Sequence, residues 1–237
     1  MGHDYGSLNP SRTLQTLYLA PLLEILRRQN SSRQADGSFR GIFNRQAGQT
    51  FTLLVDMKTN GSTTFPVLLE QLQPFLDEGF LTAYDGNTLL PGALTIVSSG
   101  RTPFDLIRQL SSKPSNSSSR SISKGGETKP QRIIFYDAPL HRLTLDDQYD
   151  ATNSAWASAP FYKTIGEVGP TGLTHDQRKK IQGRIALATS KGLKARYWQT
   201  PTYPAAMRDY VWNTLMDEGV GLLNVDQALI ASQQNWK

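Results

Sequence analysis

Cysteine is absent from this 237-residue chain, and histidine occurs three times. Without thiols there are no disulfides, no thiolate metal sites and no cysteine nucleophile, whatever the compartment. No apolar run approaches the ~20 residues that a membrane-spanning helix requires. The opening residues, MGHDYGSLNP, carry neither a basic region nor an apolar core, so they do not read as a secretory signal. Also missing are a Walker phosphate loop, a GxSxG elbow, an HExxH helix and a dinucleotide-binding glycine fingerprint. No repeat of fixed period runs through the chain.

With 38% apolar residues the chain can bury one substantial core, and one α/β barrel of ~250 residues suits the length better than two small domains. A single domain over residues 1–237 is therefore expected. The net charge of +5 is concentrated in a polar loop and one helix rather than in an aromatic-studded stripe. Nucleic acid is not implied by that pattern, whereas anionic lipid headgroups or phosphorylated substrates suit it.

Strand and helix signals alternate along the chain. Arg12 to Gln29 has helical spacing, with Pro21 marking a break or a second start. Phe51 onward is a strand, and Thr63 to Glu78 a helix. Phe80 to Leu90 reads as a hairpin about Asp85-Gly86. Ala93 to Ser99 is a strand, Pro103 to Leu110 a short helix and Arg132 to Asp137 a strand. Ser111 to Lys129 is Ser-rich and almost free of apolar residues, and it reads as a flexible excursion. Thr174 to Ser190 is a helix with a capping box from Thr174 to Gln177. Lys194 to Thr200 is a strand, Pro204 to Glu218 a helix, Val220 to Val225 a last strand and Asp226 to Ser232 a closing helix. Such βα repetition argues for a parallel sheet wrapped by helices.

The most informative stretch is FTLLVDMKTNG, Phe51 to Gly61. Alternate side chains of a strand share a face, so Asp56 and Lys58 emerge together at the carboxyl end of an apolar strand. That end is where α/β proteins build ligand sites. A plain strand-end ion pair is the competing reading of the same two residues. Ser98 and Ser99, Tyr136 and Asp137, and Arg196 to Trp198 leading to Asn224 bring polar or aromatic groups to further strand ends.

VDMKT, with Asp56 and Lys58, resembles the third-strand motif of the phospholipase-C-like phosphodiesterase superfamily. Those barrels include glycerophosphodiester phosphodiesterases and spider-venom type phospholipase D enzymes. More specifically, GHDYGSL, RTLQTLYLAPLLEIL, YDGNTLLPGALTIVSSGRTPF, the Asn153-Ser154 region, GLKARYWQTP and GVGLLNVD together resemble the fungal family named for altered inheritance of mitochondria protein 6. The matches are spread over nearly the whole chain.

The resemblance implies a TIM (β/α)8-type barrel that cleaves a phosphodiester by metal-dependent acid–base chemistry, in lipid metabolism. Mg²⁺ or Ca²⁺ held by carboxylates would neutralise the phosphate oxygens, and two histidines would move protons. On this sequence His3 matches the second of those histidines, Asp56 the third carboxylate ligand and Lys58 the cation that grips the phosphate. Trp198 matches an aromatic residue lining the mouth, and Asn224 a polar residue on the last strand. The family's first histidine and its Glu-x-Asp pair lie upstream of the GH motif, at which this sequence starts. The expectation is an N-terminally truncated barrel of six strands, lacking the first two, with an incomplete metal site. His141 and His175 read as surface histidines that do not replace the missing one.

Besides a phosphoric diester hydrolase acting on a phosphodiester or phospholipid-derived substrate, two other readings stand. One is a catalytically inactive barrel that keeps phosphorylated-ligand or protein binding. The other is a protein in peripheral contact with anionic lipid through the Ser111 to Lys129 loop, although that loop lacks apolar anchors. Sequons at Asn30, Asn60 and Asn116 would matter only on a secretory route, given a signal peptide ahead of this sequence.

Overall fold

Gln15–Leu19 forms a π-helical turn that tightens into helix α1, Ala20–Gln29, with Pro21 in its first turn. Proline fits there because its fixed φ is already helical and the N–H it lacks has no intrahelical partner. The computed structural model describes residues 1–31, 39–110 and 132–236. The flexible excursion expected over Ser111 to Lys129 lies outside the described residues.

Two compact units divide the chain, Met1–Tyr136 and Asp137–Lys237. After α1, the first holds β1 (Phe51–Met57), α2 (Gly61–Asp77), β2 (Ala83–Tyr84), β3 (Leu89–Leu90), β4 (Leu94–Gly100), α3 (Phe104–Gln109) and the start of β5 (Ile134–Pro139). β1 runs parallel to β4, from Phe51 opposite Leu94 to Met57 opposite Gly100. β4 runs parallel to β5, with Ile96 opposite Ile134 and Ser98 opposite Tyr136. Leu53 and Met57 of β1 pack with Leu26 of α1, Leu68, Leu72 and Phe75 of α2, and Ile96 and Ile134 in one buried core. Burying each such side chain contributes about 1.5–3 kcal/mol, which fixes which face of β1 turns inward. The expected hairpin is β2–β3: Asp85 Oδ1 accepts from the Asn87 and Thr88 N–H groups at 2.9 and 2.7 Å, and Gly86 takes φ +94°.

The second unit holds the end of β5, a 3₁₀ turn at Leu140–Arg142, β6 (Ser154–Pro160), α4 (Phe161–Ile165), α5 (His175–Ser190), β7 (Lys194–Trp198), α6 (Ala205–Asp217), β8 (Leu222–Leu223) and α7 (Ala228–Ser232). β6 runs parallel to β7, from Trp156 opposite Lys194 to Pro160 opposite Trp198, and β7 runs parallel to β8, with Tyr197 opposite Leu223. The capping box on α5 is present. Thr174 Oγ1 accepts from the Gln177 N–H at 3.2 Å, and Gln177 Oε1 from the Thr174 N–H at 2.8 Å. The fold is therefore α/β, with its long strands in parallel pairs and helices between them. Six strands pair in parallel among the described residues, five long ones and the two-residue β8, and β6 is the one that periodicity did not announce.

Tyr197 of β7 is fully buried, its ring edge-on to Phe161 at 6.0 Å between centroids. Burial pushes its pKa from 10.0 up to about 12, and the nearby Arg184 guanidinium only partly offsets that. The unfolded chain ionises this phenol near the ordinary value while the folded chain keeps it neutral. Its contribution is therefore complete below pH 10 and is lost as pH rises through 12. Tyr197→Phe should remove this alkaline loss, on the order of 2 kcal/mol, from urea denaturation midpoints measured against pH. Identical alkaline profiles for the two proteins would contradict it.

Candidate functional site

Asp56 is the penultimate residue of β1 and Lys58 follows the strand directly. Lys58 Nζ stands 2.6 Å from Asp56 Oδ2, with each side chain 41% exposed. The two groups expected to share a face therefore meet, and they meet where solvent and ligands can reach them. An ion pair this exposed is worth only about 0–1 kcal/mol, so the fold does not depend on it.

The surroundings hold that strand end in place. Asp56 lies opposite Ser99 in register. The next residue of β4, Gly100, has φ +68°, and a Cβ there would stand 2.2 Å from Asp56 Oδ1 and 2.6 Å from the Met57 carbonyl oxygen. Only glycine lets β4 turn away so close to the carboxylate. The buried Ser98 and Thr102 hydroxyls lie 2.6 Å apart, and Thr102 donates to the Ser99 carbonyl at 2.7 Å, closing the turn after β4. Arg101 N–H donates to the Met57 carbonyl at 2.8 Å. α2 starts at Gly61, four residues beyond Met57, and its N-cap Asn60 accepts from the Ser62 N–H through Oδ1 at 3.0 Å. Gly61 presses so close that a Cβ would meet the Arg101 carbonyl oxygen at 2.0 Å. Gly100→Ala should cost roughly 1–3 kcal/mol through the left-handed φ and the collision with β1. An unchanged urea midpoint would rule out that close approach.

In the second unit, Arg196 of β7 gathers groups from neighbouring strand ends. Its Nη2 and Nε donate to Asn224 Oδ1 at 2.6 and 3.1 Å, and its Nη1 donates to Ser158 Oγ of β6 at 3.3 Å. Nη1 also lies 3.7 Å from Asp137 Oδ2 of β5, a carboxylate whose side chain is 5% exposed. The guanidinium carbon stands 5.8 Å from the centre of the Trp156 ring. Asn224, expected as a substrate-side polar residue, thus has its side-chain oxygen committed to Arg196. Trp198 ends β7 and is 38% exposed. Sequence reading named Asp137, Arg196 and Asn224 as strand-end groups, but not the bonds that join them; the parallel register is what supplies those.

His3 sits in an exposed segment just before a 3₁₀ turn at Tyr5–Ser7, which Asp4 caps by accepting from the Ser7 N–H at 2.9 Å. Among the described residues His3 makes no hydrogen bond or ion pair with Asp56 or Lys58. His141, in the turn after β5, and His175, at the start of α5, are both exposed, as surface histidines should be. The Asn153-Ser154 motif is a structural staple: Asn153 Nδ2 donates to the Gln148 carbonyl at 2.9 Å and Ser154 Oγ donates to Asn153 Oδ1 at 2.8 Å. Among the described residues no group of three or more His, Asp or Glu side chains is arranged to hold a metal ion. Asp56 alone, with Lys58 upon it, falls short of a divalent-cation site.

Residues 1–116, which contain His3, Asp56 and Lys58, match the model of the AIM6-like phosphodiesterase domain. The altered inheritance of mitochondria protein 6 homolog of Arthroderma benhamiae is 32% identical over 95% of this chain and 67% of its own length. The altered inheritance of mitochondria protein 6 of Eremothecium gossypii is 29% identical over 95% of this chain and 57% of its own. The protein of that name from Saccharomyces cerevisiae is 27% identical over 98% and 60%. This chain therefore spans 57% to 67% of the length of these relatives. No solved structure matches. Similarity of this extent, carried by the same stretches that frame Asp56 and Lys58, makes the chain a member of the altered inheritance of mitochondria protein 6 family.

Proposed function

We propose that this protein is a phosphoric diester hydrolase whose phosphate-recognition centre lies at the carboxyl end of β1, on a fold of the (β/α)8 type. The observation that carries the reading is the Asp56–Lys58 pair at 2.6 Å, half-exposed at a strand end held by Gly61 and Gly100, in a chain whose family is described as phosphodiesterase-like.

Each group has a chemical task in this reading. Lys58 carries a compact, mobile ammonium that leaves Asp56 to pair with a phosphate oxygen, so charge building there is stabilised. Asp56 is one hard oxygen ligand of the kind that Mg²⁺ and Ca²⁺ take. Among the described residues no further carboxylates or imidazoles join Asp56 to complete such a site. His3 is the proton carrier at the leaving oxygen, since imidazole changes charge near neutral pH. Trp198 offers a ring face to an apolar or cationic part of the substrate. Asn224 acts through Arg196, fixing the guanidinium within the second unit.

Binding and turnover of one soluble phosphodiester, glycerophosphocholine, test the reading when both are measured on the same protein with Mg²⁺ or Ca²⁺ present. Turnover supports the enzyme. Binding without turnover selects the inactive phosphate-binding alternative. Absence of both removes phosphodiester recognition from this chain.

A further inference from the structure

β1 pairs with β4 along one side and, among the described residues, with no strand along the other. Which residues face the open side follows from two bonds. The Phe51 N–H donates to the Ala93 carbonyl at 2.9 Å, and the Met57 carbonyl accepts from the Arg101 N–H at 2.8 Å. Backbone groups point alternately to either side of a strand, so Phe51, Leu53, Val55 and Met57 direct theirs at β4. Thr52, Leu54 and Asp56 therefore turn their N–H groups and carbonyls outward.

Sheets commonly blunt such an edge with lysine, proline or a bulge inside the strand. Phe51–Met57 contains no lysine or proline, and its register with β4 runs unbroken from end to end. Its one charge, Asp56, is the residue before last. Leu54 is also the apolar residue of β1 that the first unit's core leaves out. Phe51, Leu53, Val55 and Met57 all belong to or pack against that core, whereas Leu54 is half-buried outside it.

We infer that the open edge of β1 is a homodimer interface, in which β1 pairs antiparallel with β1 of a second copy about a twofold axis through Leu54. In that register Leu54 faces Leu54 and Thr52 faces Asp56, each pair exchanging both of its backbone hydrogen bonds. Leu53 faces Val55 between them, so apolar side chains meet apolar and polar meet polar along the strand. The other axes that the same alternation allows match less well. One through Asp56 sets two carboxylates directly opposite each other, and one through Thr52 sets Leu54 against Thr50 and carries Asp56 past the end of the strand. To an unrelated extended peptide the edge offers main-chain bonds alone; to its own copy it offers matched side chains as well. The inference does not rest on the catalytic reading, since association is measured without turnover.

Sedimentation equilibrium of the full chain should show a monomer–dimer equilibrium. Leu54→Lys, which sets like charges opposite each other across the axis, should weaken association about tenfold or more. Because the chain has no cysteine, Leu54→Cys supplies a single thiol whose Cα lies about 5.5 Å from that of its twin, within reach of a disulfide. Mild oxidation should link this variant into a covalent dimer. Thr52→Cys, whose twin stands roughly 13 Å or more away along the paired strand, should stay unlinked. A chain that remains monomeric overturns the dimer. Association unchanged in a folded Leu54→Lys variant, or oxidation that links Leu54→Cys no better than Thr52→Cys, overturns this edge as the interface. Should Leu54→Lys not fold, the two cysteine variants decide the placement by themselves.

Discussion

Replacing Asp56 by Asn should lower phosphodiester turnover by about 100-fold or more while leaving the fold intact. The carboxylate is half-exposed and its ion pair to Lys58 contributes little to stability. Asn occupies nearly the same volume beside Gly100, so the strand end keeps its shape. What is lost is the charge that holds Lys58 before the substrate arrives and that offers an oxygen ligand to a cation. Calorimetry with Mg²⁺ and Ca²⁺ separates those roles: weaker affinity in the variant marks Asp56 as a ligand, and equal affinity confines it to positioning Lys58. Lys58→Ala should impair turnover comparably without lowering the melting temperature, because an exposed ammonium supplies charge rather than packing.

The second large effect concerns stability. Arg196→Met should destabilise the protein by about 2–4 kcal/mol, because it removes a cation facing a largely buried carboxylate along with several hydrogen bonds. The groups affected are Asp137 at 3.7 Å, Asn224 at 2.6 and 3.1 Å and Ser158 at 3.3 Å. Methionine keeps much of the side-chain volume, so the loss is electrostatic rather than a cavity. Adding Asp137→Asn should recover part of it, since the coupling between the two charges is then gone. Urea denaturation of the two single variants and the double variant reads this directly. Additive losses would show that Arg196 and Asp137 do not act on each other.

How legible these features were differs from element to element for physical reasons. β1, the β2–β3 hairpin and the α5 capping box are set by local chemistry: an apolar run, an Asp-Gly turn, and Thr174 with Gln177. Each was readable from a few adjacent residues. β6 was not, because SAWASAP lacks the β-branched residues that mark strands. It is buried through small side chains, Ala157 and Ala159, whose partners lie on other strands. The Asp56–Lys58 pair was legible from strand periodicity, since both members sit on one segment. The Arg196 cluster draws its groups from β5, β6, β7 and the residue after β8, so its bonds follow from strand register and not from any motif. Asn153 shows the converse: a residue conspicuous in the family resemblance turns out to staple a turn.

The most direct test of the β1 strand end as a phosphodiesterase centre is the rate of hydrolysis of a chromogenic phosphodiester, bis(p-nitrophenyl) phosphate. It is measured with added divalent cation for the unmodified protein, Asp56→Asn and Lys58→Ala, with melting temperatures taken on the same samples. The expected result is turnover by the unmodified protein that both substitutions reduce severely at nearly constant melting temperature. Equal rates in all three proteins would place the chemistry elsewhere, and no turnover by the unmodified protein would contradict the enzyme reading itself.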